Sequence, residues 1–151
     1  MKTKILLLIF LTFQFSCEKK KTKIIDQQTS IVPIPKTISI DPDKRVLNLS
    51  SSISFYRSSP EIDNLIIVFE KDIESLSSID IKLRNTSKIE ADLIFEVDNN
   101  LEDEEYSIKI NNNISINGGS YNALAMAKST LNQLLKLKKN KLIFPMLEIE
   151  D

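Results

Sequence analysis

The alternation of apolar and polar residues changes period several times along this chain, and each change predicts an element. Pro33 and Pro35 hold the backbone extended ahead of Thr37-Ile38-Ser39-Ile40, whose strict alternation predicts a strand. In RVLNLSSSISFYR, the residues Val46, Leu47, Leu49, Ile53 and Phe55 predict two short strands around Ser50–Ser52. The period then lengthens. Ile62, Leu65, Ile66, Phe69, Ile73 and Leu76 recur at spacings of three and four, an apolar stripe that predicts a helix. Ser59 suits its N-cap, Pro60 its first position, and Glu61 and Asp63 the positive end of its dipole. IDIKLR and ADLIFEVD return to period two, with Ile79, Ile81 and Leu83, then Leu93, Phe95 and Val97. Tyr106, Ile108 and Ile110, then Ile114 and Ile116, flank Asn111-Asn112-Asn113, which predicts a hairpin.

Asn117-Gly118-Gly119 reads as a flexible exit from that hairpin, and Ser120 as the cap of a second helix running to Lys139. Leu124, Ala127, Leu131, Leu134 and Leu135 line one side of it, with Lys136, Lys138 and Lys139 at the negative end of its dipole. LIFPMLEIED predicts one last strand, with Pro145 near its start at a sheet edge. The order of strands, helix, strands, hairpin, helix and strand predicts an α+β domain over residues 31–151. Its expected form is one mainly antiparallel sheet with two helices on one face.

The first residues follow another rule. Lys2 and Lys4 precede an apolar run from Ile5 to Phe15, roughly half the length of a bilayer-crossing helix. Ser16-Cys17 ends the run, and the polar sequence EKKKTK follows. The segment resembles a bacterial lipoprotein signal, residues 1–16, with Cys17 as the lipid-bearing first residue of the mature chain. Gln14 departs from the aliphatic residue usual at that place. An ordinary cleaved signal with an incidental cysteine is the alternative. Residues 17–30 are expected to be a polar tether. The lipid implies membrane attachment in a bacterial cell envelope.

Composition narrows the chemistry. A length of 151 residues suggests a single domain. The chain has no His, which excludes Ser-His-Asp triads and His-ligated metal sites. One Cys excludes an internal disulfide. A net charge of −1, from 20 basic and 21 acidic side chains, does not suggest nucleic acid as a partner, because phosphate binding needs a clustered positive field. The acidic run Asp98–Glu105 lacks the glycine a calcium loop needs and reads as a solvated loop. Asn117-Gly118-Gly119-Ser120 lacks the Lys-Ser/Thr of a phosphate loop and reads as a turn. Asp103-Glu104 and Glu150-Asp151 are neighbours, and strand neighbours point to opposite faces, so neither is a local acid–base pair. Neither a catalytic residue, a cofactor nor a metal is expected within the chain.

The stretch from Glu105 to Leu135 carries a resemblance. The hairpin sequences EYSIKI and NISI, a Gly/Ser turn, and a helix ending Thr130-Leu131-x-Gln133-Leu134-Leu135 are similar to the end of the non-catalytic N-terminal domain of glycoside hydrolase family 20, the β-N-acetylhexosaminidases. Ile31-x-Pro33-x-Pro35 resembles the opening of that domain, and Ile149-Glu150-Asp151 its exit. Ala123, Ala125 and Met126 stand where the family often has glycine and aromatic residues. The resemblance implies the zincin-like α+β fold of that domain. It also implies a partner, the (β/α)₈ barrel that in the family carries an Asp-Glu pair and uses the substrate's own acetamide as nucleophile. FPMLEIED is then expected to be the strand that leads to a barrel, and the chain an accessory module truncated before it, inactive alone. The second reading is a free-standing surface lipoprotein that binds glycan or a protein, although only Tyr56, Tyr106 and Tyr121 are available as tyrosine platforms.

Overall fold

The computed structural model describes residues 31–139 and 141–151. The expected signal, Cys17 and the whole expected tether lie outside them. Ten strands and two α-helices are described: β1 (Thr37–Ile40), β2 (Val46–Leu49), β3 (Ser52–Arg57), α1 (Asp63–Ser77), β4 (Lys82–Asn85), β5 (Leu93–Val97), β6 (Tyr106–Ile110), β7 (Ile114–Gly118), α2 (Tyr121–Leu134), β8 (Lys136–Lys138), β9 (Lys141–Pro145) and β10 (Leu147–Glu150). Short 3-10 turns, Pro60–Ile62 and Lys88–Glu90, precede α1 and β5.

Seven strands form the main sheet in the order β1-β10-β6-β7-β5-β3-β4, and three form a second sheet, β2-β9-β8. Among the described residues five pairings are antiparallel and three parallel, the parallel ones joining β7, β5, β3 and β4. The expected α+β class and the antiparallel majority are therefore observed. The parallel part exists because α1 carries the chain from β3 to its parallel neighbour β4.

Register puts the apolar positions on one side. Ile38, Ile149, Ile108, Ile116 and Phe95 lie opposite one another across five strands, and Leu147, Ile110, Ile114, Leu93 and Phe55 form the next row. Both helices cover this side. Phe69 of α1 meets Phe95 edge-on, with ring centroids 6.2 Å apart, and Lys128 of α2 bonds Asp72 of α1 at 2.5 Å. Ile62, Leu65, Ile66, Phe69 and Ile73 of the predicted stripe are buried, while Leu76, near the end of α1, is exposed. Ser59 accepts from the Glu61 N–H, as its position predicts.

Three expectations need correction. The second helix stops at Leu134, and Lys136–Lys138 is a strand rather than its last turn. The sequence LKLK fits both periods, and pairing with β9 decides the matter: Leu137 lies opposite Leu142 on the inner side. The final apolar stretch is two strands. Pro145 ends β9, and Met146 carries the chain to the other sheet, its N–H donating to Arg45 O and its carbonyl accepting from Asp41 N. Pro145 thus sits at the end of the central strand of the small sheet, not near the start of an edge strand. β10 is itself interior, between β1 and β6.

Candidate functional site

The two sides of the main sheet offer different chemistry. Away from the helices, the row Thr37, Glu150, Ser107, Asn117, Glu96 follows the register, and beside it run Ser39, Glu148, Lys109 and Ser115. The charged groups among them pair with one another or with nearby side chains. Lys109 Nζ lies 3.3 Å from Glu148, Thr37 Oγ1 donates to Glu150 at 3.3 Å, and Lys88 Nζ donates to Glu96 at 2.6 Å. Such a cross-strand polar ladder stabilises a solvated face and holds its carboxylates in separate pairs.

Two shallow clefts open on the described surface. One, of about 220 Å³, is lined by Ser39, Asp41, Arg45, Asn111 and Met146 among others. The N–H of Asp43, aided by Arg45, holds the Asp41 carboxyl below its ordinary range against the opposing effect of burial. The other, of about 470 Å³, lies between Glu96, Asp98, Asn99, Asn100 and Asn117. Asp98 there accepts from both the backbone and side-chain nitrogens of Asn100, a local turn bond that explains the start of the acidic run. No group of three or more Cys, Asp or Glu placed to hold a metal occurs among the described residues.

The stretches singled out in the sequence are structural contacts. Gly118 and Gly119 are not a flexible exit: a Cβ on Gly119 would stand 1.8 Å from the carbonyl oxygen of Glu102, and one on Gly118 would stand 2.9 Å from Leu124 N. The glycines are there for close approach, which lets α2 rest on β7. Ser120 Oγ accepts from Ala123 N and donates to Asp103 O at 2.6 Å, so it caps α2 and ties the turn to the acidic loop. Glu150 points to the polar side and Asp151 to the other, where its Oδ1 accepts from Lys36 N at 3.2 Å.

The residues that carry the resemblance also meet each other. Tyr106 OH and Thr130 Oγ1 lie 2.9 Å apart in the core, tying hairpin to helix. Burial, with a smaller contribution from the charge of Asp151, raises the phenol above its ordinary pKa, while the bond to Thr130 opposes the shift. Gln133 grips Val32 at both backbone atoms, accepting its N–H at 2.8 Å and donating to its carbonyl at 2.9 Å. Sequence periodicity gave no sign of this clamp, because Gln133 lies on the polar side of α2. The Asp72–Lys128–Asn132 cluster between the helices was equally hidden. Lys128 is 8% exposed, Asn132 Nδ2 donates to Asp72 at 2.8 Å, and Asn132 Oδ1 is buried without a partner. On their outer sides the helices expose Ile67, Val68, Tyr121 and Met126.

A family model described as "Glycosyl hydrolase family 20, domain 2" matches residues 28–151. Several solved structures share the fold. An exo-β-N-acetylglucosaminidase of that family from Vibrio harveyi superposes with a TM-score of 0.71 at 18% identity, covering 85% of this chain and 19% of that one. A β-N-acetylhexosaminidase from Bacteroides fragilis gives 0.67 at 22% identity, covering 82% and 24%. An N-acetyl-β-hexosaminidase from Streptomyces plicatus gives 0.68 at 13%, covering 84% and 26%. The chain therefore spans about a fifth to a quarter of the length of these structures. No curated protein sequence matches it.

Proposed function

The chain belongs to glycosyl hydrolase family 20 through that family's domain 2, and on that footing we propose that it is the non-catalytic accessory domain of a β-N-acetylhexosaminidase-type enzyme. Its work is to pack against a catalytic barrel, whether that barrel is continuous with it or made separately. The barrel supplies the hydrolysis of terminal N-acetylhexosamine. The domain alone is inactive. The observation that carries the reading is the division of its surface. The carboxylates of the bare sheet face are each held in separate pairs, which gives no acid–base couple. The helices, whose inner rows already fill a core, still present Ile67, Val68, Tyr121 and Met126 outward, apolar area of the kind that a second body covers. The resemblance of residues 1–16 to a lipoprotein signal supports a mature form anchored at Cys17 in a bacterial envelope.

The test has two arms. The purified chain is assayed with a chromogenic N-acetylglucosaminide, and turnover above the blank overturns the accessory reading. A family barrel is then supplied in trans. Binding that Val68→Asp with Met126→Asp weakens at least tenfold is the expected result, and binding indifferent to both substitutions places the contact elsewhere.

A further inference from the structure

Beyond the docking of a barrel, the small sheet carries an electrostatic anomaly. Its inner side, Leu47, Leu49, Leu142 and Phe144, joins the common core. On its outer side the register sets Lys138 directly opposite Lys141, with Lys136 on the same face opposite Ile143. Like charges facing each other across an antiparallel ladder oppose pairing. All three lysines are exposed, as is Lys139 in the turn. None of these four is in an ion pair among the described residues. The chain is acidic overall, with a net charge of −1, so this concentration runs against its composition.

The position of the cluster matters as much as its charge. The chain enters the described domain at Ile31, which is buried, and Gln133 clamps the next residue, Val32. Gln133 stands on the last turn of α2, and β8 begins at Lys136 just beyond it. The point of arrival from residues 1–30 and the start of the lysine hairpin are thus neighbours. The arriving segment is itself unusually apolar for a surface, with Val32 72% and Ile34 82% exposed. Exposed aliphatic side chains near lysines that have no ion pair among the described residues match the two layers of a bilayer surface, in which acyl boundary and anionic headgroup lie a few ångströms apart.

We propose that the β8–β9 hairpin, with Lys136, Lys138 and Lys141, is a membrane-contact surface that takes anionic lipid headgroups, with Val32 and Ile34 resting at the interface beside it. The contact fixes which side of the domain faces the bilayer. The inference uses the anchoring of Cys17 only for how the domain is delivered. Charge and geometry carry the rest.

The full chain is purified from a membrane fraction, and the mass of its Cys17 peptide is read. It is then placed in vesicles of phosphatidylcholine alone or of an equal mixture with phosphatidylglycerol, and the rate of amine labelling at each lysine is followed by mass spectrometry. The expected result is labelling at Lys136, Lys138 and Lys141 on the order of threefold slower in the anionic vesicles, relieved by salt, with Lys82 on β4 unaffected. Equal rates in the two vesicles overturn the proposal, and so does protection that requires an added acidic protein or anionic polysaccharide. Lys138→Glu with Lys136→Glu should abolish the protection. Lys138→Glu alone, which meets Lys141 with an opposite charge and so keeps the hairpin paired, should reduce it. A Cys17 without lipid defeats the anchoring reading separately. The same vesicles are then used for co-sedimentation of the unanchored chain, where salt-sensitive pelleting with anionic vesicles supports the hairpin contact and its absence overturns it.

Discussion

The corner formed by β6, β7 and α2 and the small sheet β2-β9-β8 are built from similar apolar residues and solve opposite problems. In the corner, Ile108, Ile110, Ile114, Ile116, Leu124 and Leu131 are all 0% exposed. Its buried hydroxyls, those of Tyr106 and Thr130, are bonded to each other, and its glycines stand where a methyl group does not fit. The small sheet buries Leu142 and Phe144 as completely, yet Leu137 beside them is 46% exposed and the outer side holds lysines with no ion pair among the described residues. The corner is optimised against alternatives to itself. The small sheet keeps a feature that opposes its own pairing, the facing of Lys138 and Lys141, which the proposed headgroup contact accounts for.

Equal truncations should separate the two regions most strongly. Ile116→Ala leaves a cavity among fully buried neighbours and should destabilise by about 2–5 kcal/mol in denaturant titration. Leu137→Ala should cost under about 1 kcal/mol, because half of that side chain is already in water. Comparable losses would mean that the small sheet is packed as tightly as the corner. Next in size is Tyr106→Phe, which leaves the Thr130 hydroxyl without its partner and should cost about 1–2 kcal/mol. It also has a pH signature. The phenol's folded pKa lies above the ordinary tyrosine value, so the fold favours the protonated form. That contribution is complete below about pH 10 and is lost as pH rises through the folded value. Tyr106→Phe should therefore lack part of the alkaline loss seen in the parent chain. The smallest effect has the opposite sign. Lys138→Glu turns a repulsive cross-strand pair into an attractive one and should stabilise the chain by about 0.2–1 kcal/mol, measured as a shift of the denaturation midpoint. A gain in stability together with a loss of headgroup protection would show the lysines kept for contact rather than for folding.

Much of this contrast is written locally. The stripe from Ile62 to Ile73 and the alternation in β6 and β7 name the buried sides correctly, because side-chain direction follows from backbone period alone. The Gly-Gly-Ser turn was visible as a turn, but its reason was not: the oxygen that excludes a Cβ at Gly119 belongs to Glu102, on another part of the chain. The Gln133 clamp on Val32 joins residues 101 positions apart, beyond anything a local pattern encodes. The local sequence shows Lys136, Lys138 and Lys139 only as a charged run that suits a helix end. Their common face exists only once β8 pairs with β9.

By itself, the sequence determined the two helical stripes, most of the strands and which side of each turns inward, since those follow from the spacing of apolar residues over a few positions. Tertiary structure alone decided which strands are neighbours, where α2 yields to β8, and how Met146 passes the chain from one sheet to the other. The physical reason is that LKLK and FPMLEI satisfy more than one local period. The choice between them is made by hydrogen-bond partners distant in sequence, which each segment meets only when the whole chain has folded.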